Sequence, residues 1–312
     1  MSSGLLIPDQ TLAAGLDYIL ARQSADGSWT DWNLPPGSSS TWTTGYTGCK
    51  LRFLPPHLAL KAAPRLAEGA HWLLNQFAPG GWGYNRAVGP DADTTSFAIL
   101  FLVASDLPVP GEAYRCLARY QNPDGGFSTY LPEGASNSWT VSHPDVTPMA
   151  LLALISQPVV DSHAIECGLE YALKQQNSEG LWNSFWWDSS LYGTEASLSL
   201  LHSQPGATAL PPRLERFRPA NAFEKALLLS GMLYCGPAGF QAAIRSLAQQ
   251  LAAEQQQDGS WKAPPILRIT RRDCFEPWAS AGPGPLFADP QRLFTTATVL
   301  NALSRAIDLS YD

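Results

Sequence analysis

The sequence is poor in charge, and its few cysteines are scattered. Charged residues make up 15% of the 312 residues, against about 25% in a typical globular chain. The net charge is −7, without a cluster of basic residues, so no nucleic-acid partner is expected. The five cysteines form no C-x-x-C pair. The sequence therefore indicates neither a disulfide framework nor a finger-type zinc site, and no organic cofactor is expected.

Long apolar runs are also missing. No stretch reaches the roughly 18–20 apolar residues of a membrane-spanning helix, and the opening "MSSGLLIPDQ" lacks the features of a signal peptide. A cytoplasmic location is expected, with peripheral membrane contact left open. Apolar residues, in contrast, make up 45% of the chain, and 11 of the aromatic residues are tryptophans. This composition favours a large apolar interior or cavity.

A short pattern, Q-x-x-x-G-x-W or Q-x-x-x-G-x-F, recurs along the chain. Its five copies begin at Gln23, Gln76, Gln121, Gln176 and Gln255. Each copy ends a stretch with helical periodicity and is followed by a loop and a second, more apolar helical stretch. Repeats of this size are typical of stacked helical units. The Gln, Gly and aromatic residues are interpreted as staples between repeats.

The periodicity predicts pairs of helices. The first helices are predicted at 11–23, 60–76, 110–121, 161–176 and 238–256, the second at 41–53, 91–104, 145–156, 188–203 and 291–307, and two more between 210 and 235. The second helices are apolar on nearly all sides, so they should be buried on all sides. The prediction is an all-α fold, a single (α/α)6 barrel of six helical hairpins, formed by residues 1–312 as one domain.

The repeats resemble those of the squalene-hopene and oxidosqualene cyclases and related class II terpene cyclases. The segments "DADTT", "HPDVTPMALLAL", "WNSFWWDSSLYGT" and "LFTTATVLNAL" are similar to parts of bacterial members. In that family the middle aspartate of a D-x-D-D motif protonates the substrate, and here Asp93 matches it. The form Asp91-Ala92-Asp93-Thr94-Thr95 resembles the variant of drimenyl diphosphate and drimenol synthases. The resemblance implies cyclisation of farnesyl diphosphate to a drimane-type diphosphate.

Two departures from the family pattern affect the expectation. Hopene cyclases carry D-V-T-A-H-V at the next inner helix, whereas here Met149 stands at the histidine position four residues after Asp145. Asp145, His143 or a water molecule is expected to support the acid instead, and a smaller isoprenoid is favoured. Some drimenol synthases carry a phosphatase domain before the cyclase. None is recognised here, so a separate phosphatase is expected to act on the product.

The chemistry of Asp93 requires a carboxyl group that keeps its proton near pH 7. An exposed aspartate has a pKa near 3.9, but burial and a neighbouring carboxylate from Asp91 or Asp145 raise it. The hydroxyls of Thr94 and Thr95 are expected to stabilise the anion that remains after proton transfer. The simpler alternative is that both aspartates only cap a helix, Asp91 being a plausible N-cap.

A carbocation needs a dry cavity with aromatic faces. Phe185, Trp186, Trp187 and Tyr192 are predicted to supply these faces, and Trp42, Tyr46 and Trp139 are weaker candidates. Core packing is the alternative for each of them. The substrate-binding prediction also includes Met149.

Binding of a substrate diphosphate requires positively charged groups. The aperiodic segment 262–292 carries Arg268, Arg271 and Arg272. Arginine suits phosphate, and loops this long are usually functional. We expect this segment to lie over the barrel mouth, where Arg268, helped by Arg271 or Arg272, binds the diphosphate. Mg²⁺ would be held mainly by substrate oxygens, with Glu195 a possible contributor.

Three other functions remain open. A protein prenyltransferase β subunit needs a zinc site, but no histidine lies near Asp273 and Cys274 in the sequence. A non-catalytic isoprenoid-binding barrel is the second, because class II cyclases usually have two barrels; a homodimer could complete half a pocket. The third is cyclisation of a larger or non-diphosphate isoprenoid, such as a meroterpenoid precursor.

Overall fold

The computed structural model describes residues 9–157, 161–204, 206 and 209–308, and this part of the chain is almost entirely helical. Its α-helices are Asp9–Leu20 (α1), Thr41–Lys50 (α2), Pro56–Leu74 (α3), Ala92–Ala104 (α4), Gly111–Ala118 (α5), Thr147–Ile155 (α6), Ser162–Lys174 (α7), Ser190–Ser203 (α8), Ala222–Tyr234 (α9), Gln241–Ala253 (α10) and Leu293–Asp308 (α11). None of these helices is both long enough and apolar enough to cross a bilayer.

The helices form two concentric rings. The inner ring consists of α2, α4, α6, α8, α9 and α11, each packed against the next, and α11 closes the ring against α2. The outer helices α1, α3, α5, α7 and α10 pack around them. Because the inner helices touch neighbours on every side, they are buried along most of their length. The predicted α/α barrel is confirmed.

The sixth outer position differs from the prediction. Of the two helices expected between 210 and 235, α9 is present. The segment 209–221 instead contains only a short 3-10 turn, Leu214–Arg216, in its described residues. Pro211 and Pro212 explain this, because proline lacks the N–H that a helix interior needs. The segment still connects to the preceding repeat, since Gln176 Nε2 donates to Leu210 O at 2.7 Å.

The motif glutamines join neighbouring repeats, as expected for staples. Gln121 Nε2 donates to Gly125 O in its own turn and to Ala164 O in the next outer helix, at 3.0 and 2.7 Å. Gln255 does the same to its own turn and to Thr11 O of α1 at 2.8 Å, which closes the outer ring. The frame therefore links the last repeat to the first. Gln76 is the exception among the motif glutamines, since its Nε2 donates to Trp72 O of its own helix and its Oε1 accepts from Arg86 Nε.

A threonine on the inner helix completes each staple. It accepts a hydrogen bond from the backbone N–H of the motif's aromatic residue, and these pairs are Thr44–Trp29, Thr95–Trp82, Thr147–Phe127, Thr194–Trp182 and Thr296–Trp261. We call these five residues the repeat threonines. They fix the rotation of each inner helix about its axis, and so decide which side chains face the barrel interior.

Two short ribbons lie at the mouth, the end of the barrel where the inner helices begin. Strands Asp31–Leu34 (β1) and Gly37–Ser39 (β2) form one, and Leu267–Arg268 (β3) and Leu286–Phe287 (β4) form the other. The segment 262–292 covers the mouth as expected, because Arg268 N donates to Trp186 O at 2.6 Å and Ser138 N donates to Arg272 O at 2.9 Å.

Candidate active site

The acidic motif opens helix α4 at the mouth. Asp91 is its N-cap: Oδ1 accepts from Thr94 N at 2.7 Å and Oδ2 accepts from Thr94 Oγ1 at 2.8 Å. Thr94 therefore holds Asp91 rather than Asp93. Both oxygens of Asp91 are engaged, and burial raises its pKa to about 7. Its position is that of a helix cap beside the reacting group.

Asp93 lies in the first turn of α4 and lines a small chamber of about 80 Å³. Trp42, Trp186 and Trp187 line the same chamber. Enclosure by protein raises the pKa of Asp93 well above its ordinary value, and the charges of Asp91 and Asp145 raise it further. The indole N–H of Trp42 makes no hydrogen bond of normal length, yet it is close enough to Asp93 to favour the anion. The raised pKa favours the protonated form of the carboxyl, which faces the chamber.

Asp145 is the second carboxylate of the site. Its Oδ2 accepts from Phe185 N and Trp186 N at 3.0 and 2.9 Å, while its Oδ1 is buried without a partner. Burial raises the pKa of Asp145 to about 6, against the opposing effect of the two N–H groups and Arg268. Asp145 is therefore mostly ionised near pH 7, and its negative charge helps Asp93 to remain protonated.

His143 does not contact the acid. Its Nε2 donates to Ser138 O at 2.7 Å, so its Nδ1 accepts from the Thr129 hydroxyl at 2.8 Å. Burial lowers the pKa of His143 to about 4, which leaves it neutral near pH 7. The Thr129 oxygen in turn accepts from Trp186 Nε1 at 2.7 Å. This chain of hydrogen bonds orients the Trp186 ring, so Asp145 is the residue left to support Asp93.

The chamber adjoins a cleft of about 650 Å³ at the mouth. Trp186, Tyr84 and Tyr130 line both spaces, so the chamber and the cleft are adjacent. The volume lies within the range of ligand pockets. Trp139 lines the cleft as predicted, and Arg272 lies 4.8 Å above the centre of its ring.

The arginine prediction is partly wrong. Arg268 is buried, with Nη2 2.5 Å from Asp188 Oδ1 and Nη1 3.4 Å from Phe185 O. Arg271 points to solvent and is bonded to both carboxylate oxygens of Asp273 at 3.0 Å. Both guanidinium groups are engaged away from the cleft. Of the three arginines, only Arg272 lines it.

Several other predicted residues lie away from the acid. The hydroxyl of Thr95 bonds to the backbone of Trp82, because Thr95 is a repeat threonine, and it does not face Asp93. Phe185 stacks on His143 with ring centres 3.9 Å apart and lines neither space.

Met149 and Glu195 line a separate cavity at the far end of the barrel. Met149 is one helical turn deeper than Asp145, which explains its distance from the acid. Glu195 pairs there with Lys50 at 3.5 Å, so it cannot serve a metal at the mouth. Among the described side chains, no group of three or more His, Cys, Asp or Glu residues is arranged to hold a metal ion.

A common register accounts for the side chains that do reach the axis. The residue two positions before each repeat threonine forms what we call the upper row, which consists of Trp42, Asp93, Asp145, Tyr192 and Phe294. The sequence already contains this signal as W-T-T, D-T-T, D-V-T, Y-G-T and F-T-T. The lining residues that were not predicted include Tyr84, Arg119, Thr129 and Tyr130. They lie outside the upper row, so the register gives no signal for them.

Comparisons with known proteins agree with this architecture, although no family model matches the chain. The terpene cyclase–glycosyl transferase fusion protein of Humicola fuscoatra is 25% identical over 190 residues, which cover 54% of this chain and 14% of that protein. The squalene-hopene cyclase of Alicyclobacillus acidocaldarius is 23% identical over 274 residues, with 60% and 41% covered. The chain spans less than half the length of these curated relatives.

A solved structure covers the whole fold. The type II terpene cyclase MstE from Scytonema, as its R337A variant in complex with the substrate geranylgeranyl dihydroxybenzoate, superposes with a TM-score of 0.83 at 23% identity. The match covers 96% of this chain and 97% of that one. In sequence the chain is thus similar to squalene-hopene cyclases, and its fold is similar to that of the type II terpene cyclase MstE.

Proposed function

We propose that this protein is a class II terpene cyclase in which Asp93 starts the cyclisation of a linear prenyl chain by protonating a carbon–carbon double bond. The observation that carries the proposal is a carboxyl of raised pKa facing an aromatic chamber that adjoins the mouth cleft. The sequence similarity to squalene-hopene cyclases supports it.

The reaction begins when the π electrons of the double bond take the proton of Asp93. A new C–H bond forms, Asp93 becomes a carboxylate and the adjacent carbon becomes a cation. The next double bond of the chain attacks that cation and closes a ring. The last cation loses a proton to a base, which gives a cyclic product isomeric with the substrate. The rings of Trp42, Trp186 and Trp187 stabilise the cations through their faces, and the segment 262–292 limits access of water.

Farnesyl diphosphate remains the proposed substrate, with a drimane-type cyclic diphosphate as its product. Arg272 and Arg119 both line the mouth cleft and supply positive charge for a diphosphate. Mg²⁺, if used, would be held mainly by the diphosphate oxygens. A separate phosphatase would then act on the product, and a homodimer could cover the open side of the cleft.

A second candidate is a prenyl chain attached to an aromatic acid. The engagement of Arg268 with Asp188 and of Arg271 with Asp273 favours it, because fewer cations remain for a diphosphate. The cleft instead offers the Trp139 ring for stacking and Arg272 beside it for one carboxylate. The similarity to MstE, whose substrate is geranylgeranyl dihydroxybenzoate, points the same way.

The test is incubation of the purified protein with farnesyl diphosphate, geranylgeranyl diphosphate and geranylgeranyl dihydroxybenzoate, each with Mg²⁺ and with EDTA. Cyclic products would be identified by mass spectrometry after phosphatase treatment of the diphosphates. Asp93→Asn should lower turnover by about 10³-fold or more, consistent with the range for general acids. Asp289→Asn is the matched control, because it changes another buried carboxyl outside the chamber.

The outcomes separate the functions. If Asp93→Asn turned over substrate as fast as the wild type, protonation by Asp93 would be contradicted. Binding of a substrate, seen as quenching of tryptophan fluorescence, without any product would favour the non-catalytic barrel. Activity confined to the aromatic substrate would select the second candidate.

A further inference from the structure

A layer of aromatic rings crosses the barrel next to the chamber of Asp93. At its centre, Tyr46 of α2 and Phe294 of α11 stack with ring centres 3.4 Å apart and planes inclined by 13°. Both side chains are completely buried. The Tyr46 hydroxyl is fixed by Thr298 Oγ1 at 2.7 Å.

Neighbouring inner helices extend the layer. Phe97 of α4 meets the Tyr46 ring edge-on at 5.0 Å. Trp187 stacks on Phe294 at 5.3 Å and on Tyr192 at 4.2 Å. Phe223 of α9 stacks on Trp187 at 5.3 Å. Five of the six inner helices thus contribute a ring, so the layer spans the lumen.

The layer separates two cavities. Above it lies the chamber of Asp93, about 80 Å³, and below it lies a cavity of about 60 Å³ near the ends of the inner helices. No residue lines both. The lower cavity holds the Lys50–Glu195 ion pair, whose side chains are 14% and 7% exposed.

The helix register explains this division by depth. Residues four positions after the upper row form a middle row, Tyr46, Phe97, Met149, Ala196 and Thr298; residues seven positions after it form a lower row, Cys49, Leu100, Leu152, Ser199 and Asn301. Every member of the lower row lines the lower cavity. Spacings of four and seven keep one face of a helix, and each turn adds about 5 Å of depth.

Trp42 and Trp187 line the chamber, and Phe294 packs against both, at 4.8 and 5.3 Å. We propose that the Tyr46–Phe294 stack, which supports these two rings from behind, is the specificity-determining floor that stops the prenyl chain at the depth of Asp93. This inference rests on the proposed function. A chain that enters from the mouth and brings its last double bond to Asp93 has no space beyond it. Each additional isoprene unit must therefore fit in the mouth cleft, and the length of the cleft limits the chain.

Two properties make this floor effective. Close-packed rings leave no room for an additional isoprene unit, because protein interiors have few voids and low compressibility. A chain that passed the rings would also enter the cavity of Lys50 and Glu195, where apolar groups would displace the solvation of two buried charges. The floor therefore excludes longer chains sterically, and the charges below oppose any that pass.

The test measures kcat/KM for C15, C20 and C25 prenyl substrates that carry the same headgroup. Phe294→Ala and the milder Phe294→Leu remove part of the stack and open a way to the lower cavity. We expect the C20-to-C15 ratio to rise by about tenfold or more in Phe294→Ala, and less in Phe294→Leu, since one methylene group in a pocket is worth about tenfold or more.

Leu100→Ala is the matched control. Leu100 lines the lower cavity, so its truncation enlarges that space while the aromatic layer stays intact. The length ratio should then stay within about twofold of the wild type. Circular dichroism melting identifies variants that fold, and Phe294→Leu serves if Phe294→Ala does not.

A folded Phe294 variant with an unchanged C20-to-C15 ratio of kcat/KM would contradict the proposal that the stack limits chain length. A ratio that rises equally in Leu100→Ala would also overturn it, because cavity volume rather than the layer would then decide. Absence of turnover of every prenyl substrate by the wild type would instead contradict the proposed function.

Discussion

The carboxyl-bearing and aromatic-bearing sides of the inner ring begin from the same local frame. Helices α2, α4, α8 and α11, and the turn before α6, all place a residue two positions before a repeat threonine. On α4 and before α6 that residue is Asp93 or Asp145, and on the other three it is Trp42, Tyr192 or Phe294. The repeat supplies the direction of the side chain, and the residue type decides whether it is a carboxyl group or an aromatic ring.

Helices α4 and α11 show that a raised pKa is not sufficient for this role. Asp289 bonds to Thr295 N and Thr295 Oγ1 at 2.8 Å, much as Asp91 bonds to Thr94. Burial and the nearby charge of Asp31 raise the pKa of Asp289 to about 8. Asp289 does not line the chamber, whereas Asp93 does and has no hydrogen-bond partner of normal length among the described residues. Asp93 and Asp289 therefore share a raised pKa and differ in access to the chamber.

Among the substitutions that test this comparison, Asp145→Asn should have the largest effect on activity. The amide keeps an acceptor for Phe185 N and Trp186 N but removes the charge that raises the pKa of Asp93. Since activity requires protonated Asp93, the loss of activity with rising pH should move to lower pH. We expect activity at pH 8 to fall by about 10–100-fold, within the range for acid catalysis, with a smaller loss at pH 5.

The pH profile of kcat/KM checks this expectation. A profile of unchanged shape, lowered equally at all pH values, would show that Asp145 acts only by positioning the Phe185–Trp186 backbone.

Thr95→Val tests whether Thr95 belongs to the frame. Its hydroxyl exchanges two hydrogen bonds with the backbone of Trp82, both at 3.1 Å. Removal leaves buried partners unpaired, so the free energy of unfolding should fall by about 1–3 kcal/mol. Urea unfolding measures this change, with Thr296→Val as the equivalent variant on α11. A large change in the pH profile of activity without loss of stability would instead indicate that Thr95 acts on Asp93.

Trp42→Phe tests the aromatic side of the comparison. The variant keeps a ring at the chamber wall and removes the N–H that favours the Asp93 anion. The pKa of Asp93 should rise, making it a weaker acid, so kcat should fall by roughly 3–10-fold. The alkaline loss of activity should move to higher pH, opposite to Asp145→Asn. Shifts in the same direction for both variants would contradict this assignment.

Asp289→Asn should change activity least, by less than about twofold, because Asp289 is outside the upper row. Its effect should be on stability. A carboxyl whose folded pKa is raised binds more protons in the native state, so stability falls as pH rises from about 4 through about 8. The melting temperature of the wild type should decrease over that interval, and less so in the variant. Parallel melting curves for both proteins would contradict the raised pKa.

The sequence alone predicted the barrel, because the barrel depends on local patterns repeated along the chain. The assignment of Asp93 as the proton donor follows from the resemblance to the cyclases and stays a prediction. The sequence did not predict the engagement of Arg268, since its partner Asp188 is 80 residues away and no pattern connects them. Met149 was misplaced because matching it to a family histidine gave its position in a motif but not its depth in the barrel. Two helices were predicted between 210 and 235, and only α9 is present, because Pro211 and Pro212 oppose a helix before it.

The three rows of the inner helices allow each position on the lumen wall to be specified. Each wall position is given by a helix, which sets its direction around the axis, and by a row, which sets its depth. Residue exchanges between helices within a row would move a functional group around the axis without changing its depth. A small combinatorial library at these positions could therefore redistribute acids and rings inside an unaltered scaffold, and so redesign the point at which a bound chain is first attacked.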